Sequence, residues 1–181
     1  TAVRSTGAQN IIVADAAYFG QDSRDWSCSA TFPYTNSGII NRGPALQAKH
    51  GNMLFSLHEY TWWGAEGNSC PDATLDARLV NYVNAVRAKN IALVVGEFSL
   101  PPDNLLNYQD MRGYAQSANA AFRAAPGLKL GLIFWHGSTY ERSDLVTGSG
   151  SWVDINTTAS NLTPAGKKLY DFARIVNPNA Q

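Results

Sequence analysis

Apolar residues in this chain fall into short runs free of charge, each closed by a polar or aromatic cluster, and into longer stretches where apolar positions recur three and four residues apart. The clearest run is Ile91-Ala92-Leu93-Val94-Val95, followed by Gly96, Glu97 and Phe98. An unbroken apolar run of this length predicts a strand covered on both faces, as parallel strands are. Three similar runs predict further strands: Ile11 to Asp15, Met53 to His58, and Leu130 to Trp135. Between them lie helical patterns. Pro44 to about Lys49 predicts a short helix, with Pro suited to a first turn. Asp72 or Thr74 is a candidate cap for a second helix, whose stripe is Leu75, Leu79, Tyr82, Val83 and Val86 and which Lys89-Asn90 closes. A third runs from about Asn107 to Ala125, with Tyr114, Ala118, Ala121 and Phe122 on one side and Pro126-Gly127 as its stop. Thr163-Pro164 opens the last, with Leu169, Phe172, Ala173 and Val176 inward. Thr1 to Asn10 reads as the tail of a helix and a turn stopped at Gly7, and Tyr18–Asn41 and Tyr140–Asn161 as long polar loops.

Strand then helix, four times over, predicts an α/β fold with a parallel sheet and right-handed crossovers. Each strand ends in chemistry: Asp15; His58, Glu59 and Tyr60; Glu97; Trp135. Ligands of such folds bind beyond the carboxyl ends of the strands, which makes these ends the candidate site. The 181 residues suit one domain, 1–181. A complete (β/α)8 barrel needs eight strands and about 250 residues, so four βα units predict half of a TIM barrel. Such a half leaves two sheet edges and an apolar inner face open, and we expect a second copy or a separate N-terminal half to complete it.

Composition narrows the chemistry. Fourteen basic residues balance fourteen acidic ones, so no basic field is available for nucleic acid. No apolar run reaches the roughly 18 residues that cross a bilayer. Thr1 opens in mid-pattern, as if a leader had been removed or left out. The two cysteines, Cys28 and Cys70, lie in polar stretches; a disulfide between them suits a secreted protein, and two free thiols are the alternative. No metal-ligand spacing occurs, and no metal or cofactor is expected. No GxGxxG, P-loop or GxSxG is present. Asn156-Thr157-Thr158 and Asn161-Leu162-Thr163 fit the glycosylation pattern, which arises often by chance. Trp26, Trp62, Trp63, Trp152, Tyr18 and Tyr140 stand beside Gly, Ser and Asn rather than in periodic apolar segments. Aromatics placed so suggest flat surfaces for stacking, and sugar rings are an obvious client. Each candidate also has a plainer reading: His58 and Trp135 as core residues, Trp62 and Trp63 as loop packing, Asp15 as a turn cap or an arginine's partner.

These residues resemble glycoside hydrolase family 5, the cellulases and β-mannanases, over nearly the whole chain. Ile11 to Gln21 is similar to that family's fifth barrel strand and loop, and His58-Glu59-Tyr60 to the His-x-Tyr ending the sixth. Val95-Gly96-Glu97-Phe98 is similar to the end of the seventh, and Phe134-Trp135 to that of the eighth. Leu162 to Gly166 with Leu169-Tyr170 resembles the final helix. The resemblance implies Glu97 as nucleophile, Tyr60 as hydrogen-bond donor to it, His58 as support for Tyr60 or a sugar hydroxyl, and Trp135 as the sugar's floor. Trp62, Trp63 and Tyr18 would extend the cleft, with Asp15 and Gln21 as further substrate contacts. The family's acid/base Glu follows an Asn on the fourth strand, and no Asn-Glu pair occurs here.

Glycoside hydrolysis needs two carboxyl groups. The resemblance therefore implies an endo-β-1,4-glucanase or endo-β-1,4-mannanase once the barrel is completed, with a poly- or oligosaccharide as partner. Asp15, Glu59, Glu66 and Glu141 are other carboxylates that could serve as acid; Glu59 alternates away from His58 and Tyr60 along the strand. The Gln21, His58 and Gly96-Glu97 pattern is somewhat mannanase-like. A carbohydrate-binding half-barrel without catalysis, or an inactive fragment, is the alternative.

Overall fold

A computed structural model describes residues 2–23, 27–31, 36–64, 70–100, 109–135 and 160–176, with the side chains of 109–112 left aside. The four apolar runs lie side by side in one parallel sheet, in chain order: β1 (Ile12–Asp15), β2 (Met53–Glu59), β3 (Ala92–Phe98) and β4 (Leu132–Phe134). The helices are α1 (Ala2–Ser5), α2 (Gly38–His50), α3 (Asp72–Arg87), α4 (Gln109–Leu128) and α5 (Pro164–Val176). An α/β half-barrel of four βα units is thus the observed architecture.

The core lies between one face of the sheet and the helices. Phe55, Leu57, Val95 and Phe98 from the strands meet Leu79, Tyr82, Val83, Val86, Ala118 and Ala121 from α3 and α4. Each of the larger side chains contributes roughly 1.5–3 kcal/mol by leaving water. Phe98 sits edge-on to both Phe122 and Phe134, with centroids 5.4 and 5.3 Å away. The other sheet face is only partly covered. Val13 on β1 and Ile133 on β4 are 58% and 57% exposed, while Ile12, Ala14, Leu132 and Phe134 beside them pack on the core. Along Ile91–Phe98 the centre is covered on both faces, with the adjacent Val94 and Val95 both buried, whereas Ala92 near the start is exposed and Glu97 near the end is half-buried.

Helix limits differ from the sequence reading in instructive ways. α2 begins at Gly38, not Pro44, and carries Pro44 in its interior. Ser37 caps it by accepting from Ile40 N at 2.9 Å, and Asp22, 16 residues upstream, accepts from Gly38 N and Ile39 N at 2.7 and 3.1 Å. The start is thus fixed by a distant carboxylate. Neither Asp72 nor Thr74 caps α3; Pro71 precedes it, and Asp72 is its first residue, where a negative charge suits the helix dipole. α4 runs past Pro126 to Leu128. Its end has Lys129 at φ +50°, with Leu130 N bonding Ala125 O and Lys129 N bonding Pro126 O, the paired bonds of a left-handed C-cap that usually uses glycine.

Two tertiary ties hold the loops above the strand ends. Cys28 and Cys70 form a disulfide. Arg78, fully buried on α3, donates from Nε to Ser29 O at 2.7 Å, and from its terminal nitrogens to Ser27 O and, at 3.2 Å, to Trp62 O. At the other end of the strands Arg4 binds the carbonyls of Ala8, Asn10, His50 and Gly51.

β2 and β3 are out of step at one point. Leu57 pairs with Val95, but His58 pairs with Glu97, so Gly96 is an extra residue in β3. A bulge of this kind bends the strand and re-aims the next side chain. A Cβ at Gly96 would lie 2.0 Å from Ser56 Oγ, so any larger residue there must displace the Ser56 side chain. The replacement Gly96→Ala is expected to cost about 1–3 kcal/mol by overpacking, read as a lower denaturant midpoint, with part of the loss recovered when Ser56→Gly is added. Full stability of Gly96→Ala would contradict this account.

Glu59 points its carboxyl into the core. It is 1% exposed, its Oε1 has no hydrogen-bond partner among the described residues, and burial pushes its pKa up from 4.5 to about 8. The folded protein keeps this proton where the unfolded chain has released it. Folding stability is therefore expected to fall as pH rises from 4.5 to about 8 and to level off above. Buried Asp22 has a raised pKa of the same sign, so the measurement is the difference between wild type and Glu59→Gln in urea midpoints over about pH 5–9. The Gln variant should show the shallower decline; parallel curves would remove the assignment.

Candidate active site

Alternation along β2 puts Ser56, His58 and Tyr60 on the open face of the sheet, while Leu57 and Glu59 enter the core. The bulge at Gly96 turns Glu97 toward the same face. The result is a contact between neighbouring strand ends: Tyr60 OH donates to Glu97 Oε1 at 2.5 Å. Burial first, and then the Glu97 carboxylate, push the Tyr60 pKa well above the ordinary phenol range, so the phenol keeps its proton and remains a donor.

His58 lies between two carboxylates. Its Nε2 is 3.3 Å from Asp15 Oδ1, at the end of β1, and its Nδ1 is 3.6 Å from Glu97 Oε2. A neutral imidazole has one N–H and can donate to only one of them, whereas an imidazolium donates to both. The ring is held from above by the loop after β1. His58 N donates to Gly20 O at 2.8 Å. Gly20, at φ +81°, lies so close that a Cβ there would fall 2.2–2.6 Å from three ring atoms. Asp15, His58 and Glu97 thus join the ends of three strands.

A cleft of about 470 Å3 opens beside this contact, lined by Phe19, Gln21, Tyr60, Trp62, Glu97, Ser99, Tyr114 and Trp135. Gln21 is buried and supports its wall: its Oε1 accepts from Trp62 N at 3.2 Å, and its carbonyl accepts from Trp63 Nε1 at 3.0 Å. Trp135 is half exposed. A second depression of equal volume lies between the C-terminal end of α4, the start of β4 and α5. It is apolar and contains none of the strand-end groups, so chemistry rather than size distinguishes the first.

The sequence-predicted residues divide accordingly. Glu97, Tyr60, Gln21, Trp62 and Trp135 meet in the cleft, and His58 and Asp15 adjoin it through Glu97. Trp63 does not belong there. It is 4% exposed and stacks edge-on against Tyr82 with centroids 5.1 Å apart, because the turn at Tyr60–Gly64 sends alternate faces to cleft and core. Tyr18 is partly exposed and is not among the cleft residues; its neighbour Phe19 is. Trp26, Trp152, Tyr140, Glu66 and Glu141 lie outside the described residues. Sequence reasoning missed Phe19, Ser99 and Tyr114. Tyr114 was read as part of a helical stripe, but its ring packs on Tyr60 at 4.8 Å, a contact between distant segments that carries no local signal. Among the described residues no three His, Cys, Asp or Glu side chains are grouped to hold a metal ion, and no helix is long and apolar enough to cross a membrane.

No protein of curated function matches the chain in sequence. Among solved structures, the β-mannanase of Streptomyces thermolilacinus with mannohexaose is similar at 22% identity and TM-score 0.61, over 99% of this chain and 48% of that one. The mannohexaose complex of the Thermomonospora fusca β-mannanase is similar at 25% identity and TM-score 0.57, over 99% and 48%. The chain therefore spans about half the length of the mannanases it matches. The profile of Cellulase (glycosyl hydrolase family 5) matches residues 1–141, and with four parallel βα units superposing on half of such a barrel, the chain belongs to glycoside hydrolase family 5.

Proposed function

We propose that this chain is the C-terminal half of a secreted glycoside hydrolase that cleaves a β-1,4-linked polysaccharide, mannan before glucan, with Glu97 as nucleophile. The observation that carries the reading is the Tyr60–Glu97 hydrogen bond of 2.5 Å at the mouth of an aromatic-lined cleft. A donor held on one carboxylate oxygen fixes which oxygen is free to attack. In this scheme Glu97 attacks the anomeric carbon while a second carboxyl group protonates the departing glycosidic oxygen. Water then cleaves the glycosyl ester and restores Glu97. His58, held by Asp15 and Gly20, positions Glu97. Trp135 and Trp62 offer ring faces to the sugar. The lean toward mannan rests on the mannanases among the similar structures; the secreted assignment rests on the disulfide.

The second carboxyl would come from four complementary βα units. The exposed Val13, Ile133 and Trp135 and the edges of β1 and β4, unpaired among the described residues, suit such a partner. Relatives twice as long favour an N-terminal half. A second copy of the chain would serve the same edges, and light scattering on a sizing column distinguishes it: a mass near twice 19.6 kDa supports pairing, and a monomer argues against it.

Reconstituted with an N-terminal half, the protein is expected to release reducing ends from soluble β-1,4-mannan, and Glu97→Gln to lower kcat by at least about a thousandfold with little change in substrate binding. Turnover unaffected by Glu97→Gln would remove Glu97 as nucleophile. Sugar binding without turnover in the reconstituted wild type would favour a non-catalytic binding role.

A further inference from the structure

Phe19 is 81% exposed, more than any other large apolar side chain among the described residues, and it lines the cleft with Tyr60, Glu97 and Trp135. It takes no part in the core. Its backbone is unfavourable as well: Tyr18, Phe19 and Gly20 follow one another at φ +56°, +55° and +81°. Residues with side chains visit this left-handed region singly, and a bulky one there is an outlier. Glycine at position 19 would remove both the strained φ and the apolar surface in water. Phe19 thus brings the fold neither burial nor an easy backbone, and strain of this kind gathers where a side chain serves a ligand.

The turn holds Phe19 firmly. Gly20 N donates to Ala16 O at 3.2 Å, Gln21 N to Tyr18 O at 3.1 Å and Asp22 N to Ala17 O at 2.8 Å, while Gly20 O accepts from His58 N at 2.8 Å. Gly20 lies on the His58 ring, and Gln21 and Asp22 are buried. In the sheet order β1-β2-β3-β4 this turn belongs to the β1–β2 side, Glu97 lies on β3, and Trp135 follows β4. Phe19 and Trp135 therefore flank Glu97 from opposite sides. A ring without polar atoms recognises a ligand by its flat face alone. Beside the hydrogen-bonding groups of Tyr60 and Glu97, such a face matches a neutral pyranose, with its apolar C–H face and rim of hydroxyls. Because the backbone is already fixed, stacking there costs little ordering.

We propose that Phe19 is a substrate-binding platform: its ring stacks on one unit of an extended oligosaccharide, on the side of Glu97 away from Trp135. The strained turn is what sets the ring in the path of the sugar chain. This rests on the sugar-binding part of the proposed function but not on Glu97 being a nucleophile.

The test is calorimetric titration of the full chain and its Phe19 variants with mannohexaose, beside urea unfolding of each protein. Phe19→Gly is expected to weaken binding roughly fivefold to tenfold, the worth of one aromatic contact, while raising the unfolding midpoint, because glycine adopts positive φ without cost. Phe19→Leu keeps an apolar side chain and the restrained backbone but has no flat face, and should lose affinity as Phe19→Gly does. Phe19→Trp, with a larger face, should bind at least as tightly as the wild type. Unchanged affinity in Phe19→Gly, or wild-type affinity in Phe19→Leu, would overturn the inference and leave the proposed function standing. A lowered midpoint in Phe19→Gly, or its failure to fold, would show the ring to be structural and overturn it as well. Binding of no mannohexaose by the wild-type chain would sink this inference together with the sugar-binding reading it rests on.

Discussion

The Asp22 carboxylate is the point on which the upper half of the molecule depends. It is fully buried and accepts four hydrogen bonds: from Ser37 Oγ, from Tyr82 OH at 2.8 Å, and from the backbone N–H groups of Gly38 and Ile39. One group thereby joins the loop after β1, the N-terminus of α2 and the middle of α3. Hydrogen bonds to an ionised group are worth about 1.5–3 kcal/mol each when net, but burial acts against them. Desolvation outweighs the four donors and leaves the Asp22 pKa raised. A carboxylate in such a balance is strongly destabilising to disturb, because removing any partner leaves a buried charge less compensated.

The functional geometry follows from that anchor. With Asp22 fixed, the turn at residues 18–22 can adopt its run of positive φ angles, at Tyr18, Phe19, Gly20 and Asp22. Such backbone is costly for residues other than glycine and persists only where the surroundings over-determine it. Its consequence is local: Gly20 lies on the His58 ring, and Gln21 supports both Trp62 and Trp63. From the other side, the Gly96 bulge brings Glu97 level with His58. A loop tied to the core and a strand with one extra residue thus converge on one carboxylate.

The half-barrel explains both the order and the openness of the site. Strand ends in a parallel sheet all face the same way, so Asp15, His58, Tyr60, Glu97 and Trp135 gather without further design. The same architecture leaves the inner face of β1 and β4 exposed, with Val13, Ile133 and Trp135 in solvent. Apolar side chains alternating with core-facing ones on an edge strand are what a continued sheet would cover. The chemistry of the cleft and the open face of the sheet are two aspects of one topology.

Local pattern was enough to read four strands, their parallel order and the strand-end chemistry, because apolar periodicity and strand-end polarity are properties of neighbouring residues. Family resemblance added the roles of Glu97, Tyr60 and His58 as expectations. What lay beyond the sequence depended on contacts between distant segments. The start of α2 moved six residues upstream because Asp22 and Ser37 supply its caps. Trp62 and Trp63, adjacent and alike, separated into cleft and core because one turn gives them opposite faces. Tyr114 left its helical stripe to meet Tyr60, and Ser99 became a buried residue lining a cleft, although nothing in Phe98-Ser99-Leu100 distinguishes it from an ordinary loop serine. Periodicity tells which face of an element turns inward; only packing decides which neighbour it finds there.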